Sequence, residues 1–119
     1  MKIGIDLDNT ITTSRESIEF FEVLTNLLIA EHQIYILTCR EEPNSHQDVA
    51  NELDYLCIEY SEIVITADKA QFVKDNNINI LFESGDEYFL ELGEEVLVFG
   101  IKKDGDISFS AKKDIGSKG

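Results

Sequence analysis

The stretch KIGIDLDNT, residues 2–10, sets the fold because it joins a short apolar run directly to acidic and hydroxyl side chains. The apolar part predicts a buried strand, and Asp6 and Asp8 lie where that strand ends. Two carboxylates held this close repel each other, so a structure keeps them together mainly where a cation or a proton relieves the repulsion. Alternatively, Asp8 and Asn9 are turn residues and Thr10 caps the loop, which explains the same residues without a ligand. The spacing of the two aspartates leaves both interpretations open.

Downstream of this stretch, apolar runs typical of strands alternate with segments of helical periodicity. The runs are nearly continuous in apolar residues, which is typical of strands buried on both faces of a parallel sheet. We therefore predict a three-layer α/β domain with a mainly parallel central sheet and helices on both faces. Further strands are predicted at residues 33–38, 62–66, 78–82 and 96–101, and helices at residues 14–31, 46–57, 69–76 and 87–92.

The first predicted helix has clear signals of its own. Thr13, with Glu16 three positions later, forms a capping box that places the helix start near residue 14. The apolar residues of this segment predict a wide face that packs on the sheet. They are Ile18, Phe20, Phe21, Leu24, Leu27 and Leu28. At the end of the third helix, Asn76 and Asn77 predict a left-handed turn.

The C-terminal part predicts a β-hairpin. A turn with an Asp-Gly signal, residues 103–106, joins the last strand to a short run at residues 107–110. No Pro-rich or Gly-rich linker divides the chain, so we expect a single domain over residues 1–111. Residues 112–119 are expected to form a flexible tail.

The carboxyl ends of the predicted strands carry the candidate site. In parallel α/β sheets, ligands bind beyond these ends. The segments that follow the first four strands are residues 6–10, 38–40, 68–69 and 83–87. Each of them contains a polar group that can bind phosphate, which indicates that they form one site.

The charge of the chain limits its partners. A formal net charge of −14 opposes binding to a nucleic-acid backbone or to an anionic membrane. The same charge disfavours any anionic substrate, so a phosphate site needs local positive charge, which Lys69 and Arg40 can supply. Cys39 and Cys57 lack metal-ligand spacing and are expected to be reduced thiols. Neither a signal peptide nor a membrane-spanning segment is indicated, so we expect a cytoplasmic protein.

The string GIDLDNTI, residues 4–11, closely resembles the first motif of the haloacid dehalogenase superfamily, an apolar strand followed by D-x-D-x-T. The resemblance covers roughly residues 2–100 and implies a Rossmannoid domain with phosphohydrolase activity. It implies that Asp6 attacks phosphorus to form an aspartyl-phosphate and that Asp8 is the general acid and base. It also implies Mg²⁺ as the cofactor, held by Asp6 and by the main-chain carbonyl of Asp8, and it places Asn9 and Thr10 beside the substrate.

Two further positions match this family. Thr38 ends the second strand, where the second motif has a serine or threonine that holds a phosphoryl oxygen. Lys69 opens the helix after the third strand, where the third motif has a phosphate-binding lysine. The string ILTCR, which ends at Arg40, also resembles the 5′(3′)-deoxyribonucleotidase branch, and this implies that Arg40 binds substrate. Without a function, Thr38 is explained as a structural residue at a strand end, and Lys69 is explained as a solvated surface lysine.

The fourth motif departs from the family. The family has an acidic pair, or Gly-Asp, whose second member is a magnesium ligand, whereas this chain has Glu83 followed by Ser84. A neutral hydroxyl offers no charge to the cation, so Glu83, Asp86 or Glu87 is expected to take this role. Alternatively, the chain is a weak or inactive member that binds phosphate or a protein partner without turnover.

The spacing between the motifs leaves no room for the cap domain that most family members carry. Members without a cap keep an open site, which implies a large substrate or closure by a homo-oligomer. Because the net charge of −14 disfavours a nucleic-acid substrate, the expected substrate is a phosphoprotein or a phosphorylated small molecule of nucleotide size.

Two other classes are disfavoured by the residues. A receiver domain needs a phospho-accepting aspartate at the end of the third strand, but the nearest candidate, Asp54, lies in a predicted helix. A cysteine phosphatase needs C-x5-R, and the pattern that begins at Cys39 reaches Ser45 instead. His32 and His46 are solitary and are expected to be surface or loop residues.

Overall fold

Strands and helices alternate along the chain, as the apolar pattern predicts. The computed structural model describes residues 1–40, 45–92 and 94–102. The strands are β1 (Lys2–Asp6), β2 (Gln33–Thr38), β3 (Glu62–Ile65), β4 (Ile80–Glu83) and β5 (Leu97–Gly100). The helices are α1 (Arg15–Leu28), α2 (Ser45–Tyr55), α3 (Lys69–Asp75) and α4 (Glu87–Glu91), and a 3-10 turn covers Ile11–Thr13.

The five strands form one parallel sheet in the order β3-β2-β1-β4-β5. Along β1, Ile5 is in register with Ile36 of β2 on one side and with Phe82 of β4 on the other. The prediction of an α/β domain with a parallel sheet is therefore confirmed. Gly4 lies at the crowded centre of the sheet, where an added Cβ would come within 3.2 Å of Leu81.

Helices cover both faces of the sheet, and each face has its own core. On one face, α1 and α2 bury Phe21, Val49 and Leu53 against the isoleucines of β1 and β2. On the other face, α3 buries Ala70 and Val73 among residues of β2, β4 and β5. Full burial of one such side chain stabilises the folded state by roughly 1.5–3 kcal/mol, so the two cores hold the strand ends in place.

Helix α1 departs from the prediction at its start. The N-cap is Ser14, whose hydroxyl accepts a hydrogen bond from Ser17 N at 3.1 Å, so the predicted capping box of Thr13 and Glu16 is wrong. Thr13 belongs instead to the preceding 3-10 turn. Because Thr13 is part of this turn, the N-cap moves to Ser14. The helix therefore begins at Arg15, one residue later than it would with Thr13 as the N-cap.

The buried face of α1 is also narrower than predicted. Phe21 is fully buried, and Ile18, Leu24 and Leu28 pack against the core. In contrast, Phe20 and Leu27 are 50% and 72% exposed, so their assignment to the buried face is wrong. A helix on a sheet buries only one stripe, and residues one position away from it turn toward solvent.

Helix α1 ends at Leu28, three residues before its predicted end at residue 31. The other boundaries agree with the prediction to within two residues, and those of β2 coincide with it. Asn77 adopts a φ of 56° after α3, which confirms the predicted left-handed turn. The predicted hairpin at residues 103–110 and the tail at residues 112–119 lie outside the described residues. None of the helices in the described part of the chain has the length and apolar character needed to cross a membrane.

Candidate functional site

A pocket lies where the direction of chain connection reverses in the sheet. The chain runs from β1 outward to β2 and β3, then crosses back to β4 on the other side of β1. Parallel α/β sheets bind ligands beside the carboxyl ends of the strands at such a point. The cavity there has a volume of about 280 Å³ and is lined by Asp6, Asp8, Asn9, Cys39, Lys69, Glu83, Ser84, Gly85, Glu87 and Tyr88.

Asp6 is the last residue of β1 and is almost fully buried. Its Oδ2 accepts a hydrogen bond from the buried hydroxyl of Thr10 at 3.0 Å. Its Oδ1 lies 2.5 Å from the Lys69 ammonium, which donates to it. The Asp6 carboxylate is therefore fixed from two sides, with its position set by the central strand.

The connection after β1 brings Thr10 back to this carboxylate. Asn9 has a φ of 64°, a conformation that asparagine tolerates better than most residues, and the chain reverses there. The hydroxyl of Ser17 on α1 donates to the Thr10 carbonyl at 2.6 Å, which anchors the turn to the helix. Asn9 is exposed and lines the pocket, whereas Thr10 supports Asp6 from inside the fold.

Lys69 reaches the site from the first residue of α3. The N-cap of this helix is Asp68, whose carboxylate accepts a hydrogen bond from Gln71 N at 3.0 Å. The Lys69 ammonium lies 3.7 Å from Glu83 Oε1 in addition to its contact with Asp6. It also lies 5.7 Å from the ring centroid of Tyr88. One buried cation thus faces two carboxylates and one aromatic ring.

Glu83, at the end of β4, is a buried carboxyl group with one oxygen that lacks a hydrogen-bond partner among the described residues. Its side chain is only 4% exposed, and Oε1 is without a hydrogen-bond partner among the described residues. Oε2 accepts a hydrogen bond from Gly85 N at 3.2 Å. Burial, and then the negative charge of Asp6, raise the pKa of Glu83 to about 7.

Burial also affects the pair that Glu83 faces. It raises the pKa of Asp6 above its ordinary value, although Lys69 and Thr10 oppose this with their hydrogen bonds. Burial alone would lower the pKa of Lys69, but the hydrogen bond and charge of Asp6 outweigh it and raise the pKa. Lys69 therefore remains an ammonium group at neutral pH.

A second charged group lies closer to solvent. The Arg40 guanidinium donates to Asp8 Oδ1 at 2.8 Å through Nη2 and to Asp8 Oδ2 at 3.4 Å through Nε. Its Nη1 lies 2.9 Å from Glu52 Oε1 of α2. Thr38, the last residue of β2, donates its hydroxyl to Asp8 Oδ2 at 2.9 Å. The end of β2 therefore holds the Asp8 carboxylate in place.

These contacts set the charge state of Asp8. Partial burial would raise the pKa of this carboxyl, but the hydrogen bonds from Arg40 and Thr38 and the positive charge of Arg40 lower it. The Asp8 and Glu52 carboxylates in turn raise the pKa of Arg40. Asp8 is consequently held as a carboxylate, the form that accepts protons.

The structure brings most of the predicted residues together. Asp6, Asp8, Asn9, Lys69 and Glu83 line the pocket, and Thr10, Thr38 and Arg40 bind residues that line it. Asp86 does not line it, since its carboxylate lies 2.9 Å from the Lys102 ammonium and is 57% exposed. The same ammonium donates to the Ser84 carbonyl at 2.6 Å.

Three residues of the site were not singled out from the sequence as site residues in their own right. Glu52 anchors Arg40 from α2, and Tyr88 forms a wall of the pocket beside Lys69. Glu87 was named only as one of several acidic candidates, yet it lines the pocket where Asp86 does not. The sequence analysis selected site residues from the segments that follow the predicted strands. Glu52 and Tyr88 lie on helices, so this criterion did not identify them as site residues.

The oxygen atoms that line the pocket are the type of ligand that a hard cation such as Mg²⁺ prefers. Asp6 and Glu83 contribute buried carboxylates, and the unpartnered Oε1 of Glu83 is an oxygen that a cation would satisfy. Within the part of the chain that the structure describes, no three His, Cys, Asp or Glu side chains gather as a metal-binding group. A cation here would therefore depend on two carboxylates together with main-chain oxygen and water.

Comparison with models of known protein families finds no match to this chain. A comparison with curated proteins finds no match either. The chemistry of the site therefore has to follow from its own geometry.

Proposed function

We propose that this chain is a phosphohydrolase that cleaves phosphomonoesters through a phosphorylated Asp6. The observation that carries the proposal is the contact of Asp6 with the Lys69 ammonium at the carboxyl end of the central strand. A buried carboxylate held beside a cation is suited to attack an anionic phosphoryl group, because the cation offsets the charge repulsion. The proposal agrees with the resemblance of residues 4–11 to the haloacid dehalogenase superfamily.

In the first step, an Asp6 oxygen forms a bond to phosphorus while the bond from phosphorus to the ester oxygen breaks. The leaving alcohol takes a proton from Asp8. Lys69 stabilises the charge on the phosphoryl oxygens, and the Thr38 hydroxyl, once it rotates away from Asp8, donates to one of them. Atoms and charge balance, since the alcohol leaves neutral and Asp6 carries the phosphoryl group.

In the second step, water attacks phosphorus and Asp8 takes its proton, which releases inorganic phosphate and restores Asp6. Asp8 is held as a carboxylate, which suits this base role. To act as an acid in the first step, Asp8 needs a proton, so the Arg40 guanidinium has to move from Asp8 to the phosphoryl group. Guanidinium binds phosphate in a two-pronged geometry, which favours the exchange.

A magnesium ion fits this chemistry through its oxygen donors. Asp6, Glu83 and the main-chain carbonyl of Asp8 would hold it. When bound, the ion neutralises negative charge on the transferring phosphoryl group. In this proposal Glu83 takes the role that the family gives to the residue at position 84, because Ser84 carries no charge and Asp86 is paired with Lys102.

An inactive phosphate-binding domain is the second candidate, and one observation favours it. The Lys69 ammonium already pairs with both buried carboxylates, so Asp6 has a cationic partner before any metal binds. Without a carboxylate at position 84, such a site binds a divalent cation weakly and turns over slowly.

The proposal is tested by assaying a panel of phosphorylated metabolites with and without Mg²⁺. Asp6→Asn is expected to lower turnover by more than about a thousandfold, because an amide cannot form the intermediate. Asp54→Asn, on the exposed side of α2, is the matched control and should keep its activity. Circular dichroism verifies that both variants fold, and normal activity of Asp6→Asn would refute the proposal.

Ser84→Asp separates the two candidates. If the present site is damaged, the new carboxylate should raise Mg²⁺ affinity and phosphatase rate at least tenfold, measured by calorimetry and by phosphate release. If Glu83 already supplies the second ligand, both quantities should change little. No activity in either protein, with phosphate binding retained, would establish the inactive candidate.

A further inference from the structure

The mouth of the pocket carries an acidic side chain that the proposed mechanism does not use. Glu87, the first residue of α4, is exposed and lines the cavity. Its carboxylate lies over Gly85, since a Cβ at that position would come within 3.0 Å of both carboxylate oxygens. No hydrogen bond or ion pair from any described residue reaches it. Glu87 therefore presents an uncompensated negative charge to whatever enters the pocket.

Tyr88 adds an aromatic surface beside this charge. It is half-buried, lines the same cavity and faces the Lys69 ammonium across 5.7 Å. A carboxylate next to an aromatic ring is the combination that proteins use to bind organic cations, because the ring face and the carboxylate both attract positive charge. Two consecutive residues thus supply cation-binding chemistry at the edge of a phosphate-sized site.

The balance of charge inside the pocket points the same way. Four acidic side chains line it, against the single ammonium of Lys69. Arg40 adds one positive charge beside the pocket, but Glu52 adds a further negative charge to that of Asp8, so the excess of negative charge remains when Arg40 moves to the phosphoryl group. Deeper in the pocket, the buried Glu83 Oε1 is without a hydrogen-bond donor among the described residues. A phosphomonoester therefore enters a negative field, and a second anionic group on its alcohol would add to the repulsion.

We propose that the substrate is a small phosphomonoester whose alcohol carries a positive charge, such as a primary or quaternary ammonium group. The phosphoryl group lies against Lys69 and Asp6, and the cationic end lies between the Glu87 carboxylate and the Tyr88 ring. The cavity of about 280 Å³ is slightly smaller than most ligand pockets, which suits a short amino alcohol. This inference rests on the proposed phosphohydrolase function.

The experiment uses three phosphate esters of matched two-carbon alcohols. Ethanolamine phosphate carries an ammonium group, ethylene glycol phosphate is neutral at the same position, and phosphoglycolate carries a carboxylate. With Mg²⁺ present, kcat/KM should fall in that order by roughly fivefold at each step, as expected for one charge at the mouth of an exposed pocket. Added salt should compress the differences, because it screens exposed charges.

Glu87→Gln tests the residue itself. The variant should bring the kcat/KM values of the cationic and anionic esters closer together, through a higher KM for the first and a lower KM for the second. Glu91→Gln is the matched control, since Glu91 is exposed on the same helix but does not line the pocket. That variant should keep the wild-type order and spacing.

The outcomes separate the inference from the function on which it rests. Hydrolysis of all three esters at similar rates by the wild type overturns the substrate inference and leaves the phosphohydrolase intact. A Glu87→Gln variant that keeps the wild-type ratio of kcat/KM between the cationic and anionic esters does the same. Hydrolysis of none of the esters, together with a blank metabolite panel, overturns the phosphohydrolase and the inference with it.

Discussion

The site contains two groups with the same set of charges but different exposure to solvent. Each has two carboxylates and one cation: the inner triad is Asp6, Lys69 and Glu83, and the outer triad is Asp8, Arg40 and Glu52. Side chains of the inner triad are 4–12% exposed, whereas those of the outer triad are 28–45% exposed.

The difference shows how burial gives two neighbouring aspartates different properties. Asp6 and Asp8 are two residues apart, yet the pKa of the first is raised by burial and that of the second is lowered, mainly by Arg40. An ion pair that is exposed to water contributes little to stability, so the loss of one partner costs little free energy. Inside the protein the loss of one partner leaves an uncompensated buried charge, which is strongly destabilising. We therefore expect changes in the inner triad to alter stability and changes in the outer triad to alter binding.

Lys69→Met should have the largest effect. It leaves two buried carboxylates without a cation, which costs about 3–5 kcal/mol of unfolding free energy. The loss should be smaller at pH 5 than at pH 8, because the carboxyl groups can then take up protons. Urea denaturation at both pH values measures it, with the exposed Lys74→Met on the same helix as control. Equal stability of the two variants at pH 8 would contradict the idea of a buried, dependent charge group.

The pH dependence of stability should follow from Glu83. The folded protein keeps a proton on Glu83 up to about pH 7, whereas the unfolded chain loses it near the ordinary value of 4.5. The folded state thus binds more protons in between, so the unfolding free energy falls as the pH rises through this window, by up to about 3 kcal/mol in the absence of metal.

Glu83→Gln sharpens this prediction. Its amide cannot ionise, so the variant should be more stable than wild type at pH 8, by about 1–3 kcal/mol in EDTA, and its stability should vary less with pH. Denaturation curves between pH 5 and pH 8 measure both effects. The matched Glu62→Gln, at an exposed position of β3, should retain the wild-type slope. An equally steep slope in Glu83→Gln would assign the pH dependence to other groups.

Arg40→Ala should separate stability from function in the outer triad. Partly exposed ion pairs contribute roughly 0.2–1 kcal/mol each, so the variant should unfold at nearly the wild-type urea concentration. Its affinity for inorganic phosphate, measured by calorimetry, should fall at least tenfold, because the guanidinium clamp is lost. Arg15→Ala, at the exposed start of α1, controls for the loss of one positive charge. A fall of several kcal/mol in stability would show that the outer triad behaves like the inner one.

Glu52→Gln should have the smallest effect. It removes the anchor of Arg40 and changes stability by less than about 1 kcal/mol. The KM for a phosphomonoester should rise severalfold while kcat changes little, since Glu52 acts only through the position of Arg40. Glu52→Asp, which keeps the charge, should recover part of the loss. A kcat effect equal to the KM effect would assign Glu52 a direct part in the reaction.

Much of this arrangement could be predicted from the sequence, because most of the site residues directly follow apolar runs that are easily recognised as strands. The apolar runs located the strands, and parallel strands bring their carboxyl ends to one edge of the sheet. Asp6, Lys69 and Glu83 lie at or just after such ends, and the structure places all three around one pocket.

The remainder depends on packing that sequence periodicity does not encode. Whether Phe20 is buried depends on how far the sheet extends beneath α1, and the choice of Ser14 as N-cap depends on the turn before it. The pairing of Arg40 with Glu52 needs the tilt of α2 relative to β2. The pairing of Asp86 with Lys102 likewise depends on where the chain passes after β5.

The placement of β4 beside β1 has a consequence for how the chain folds. The main-chain N–H of Lys2 bonds to the side chain of Asn79, 77 positions later, so this seam closes only after most of the sheet's residues have been synthesised. Such distant pairing slows folding, and until it occurs β1 exposes a free edge that can associate with other chains. A nascent chain that ends before β4 therefore lacks the residues of β4 and α4 that line the pocket, and such a truncated product would be prone to aggregate.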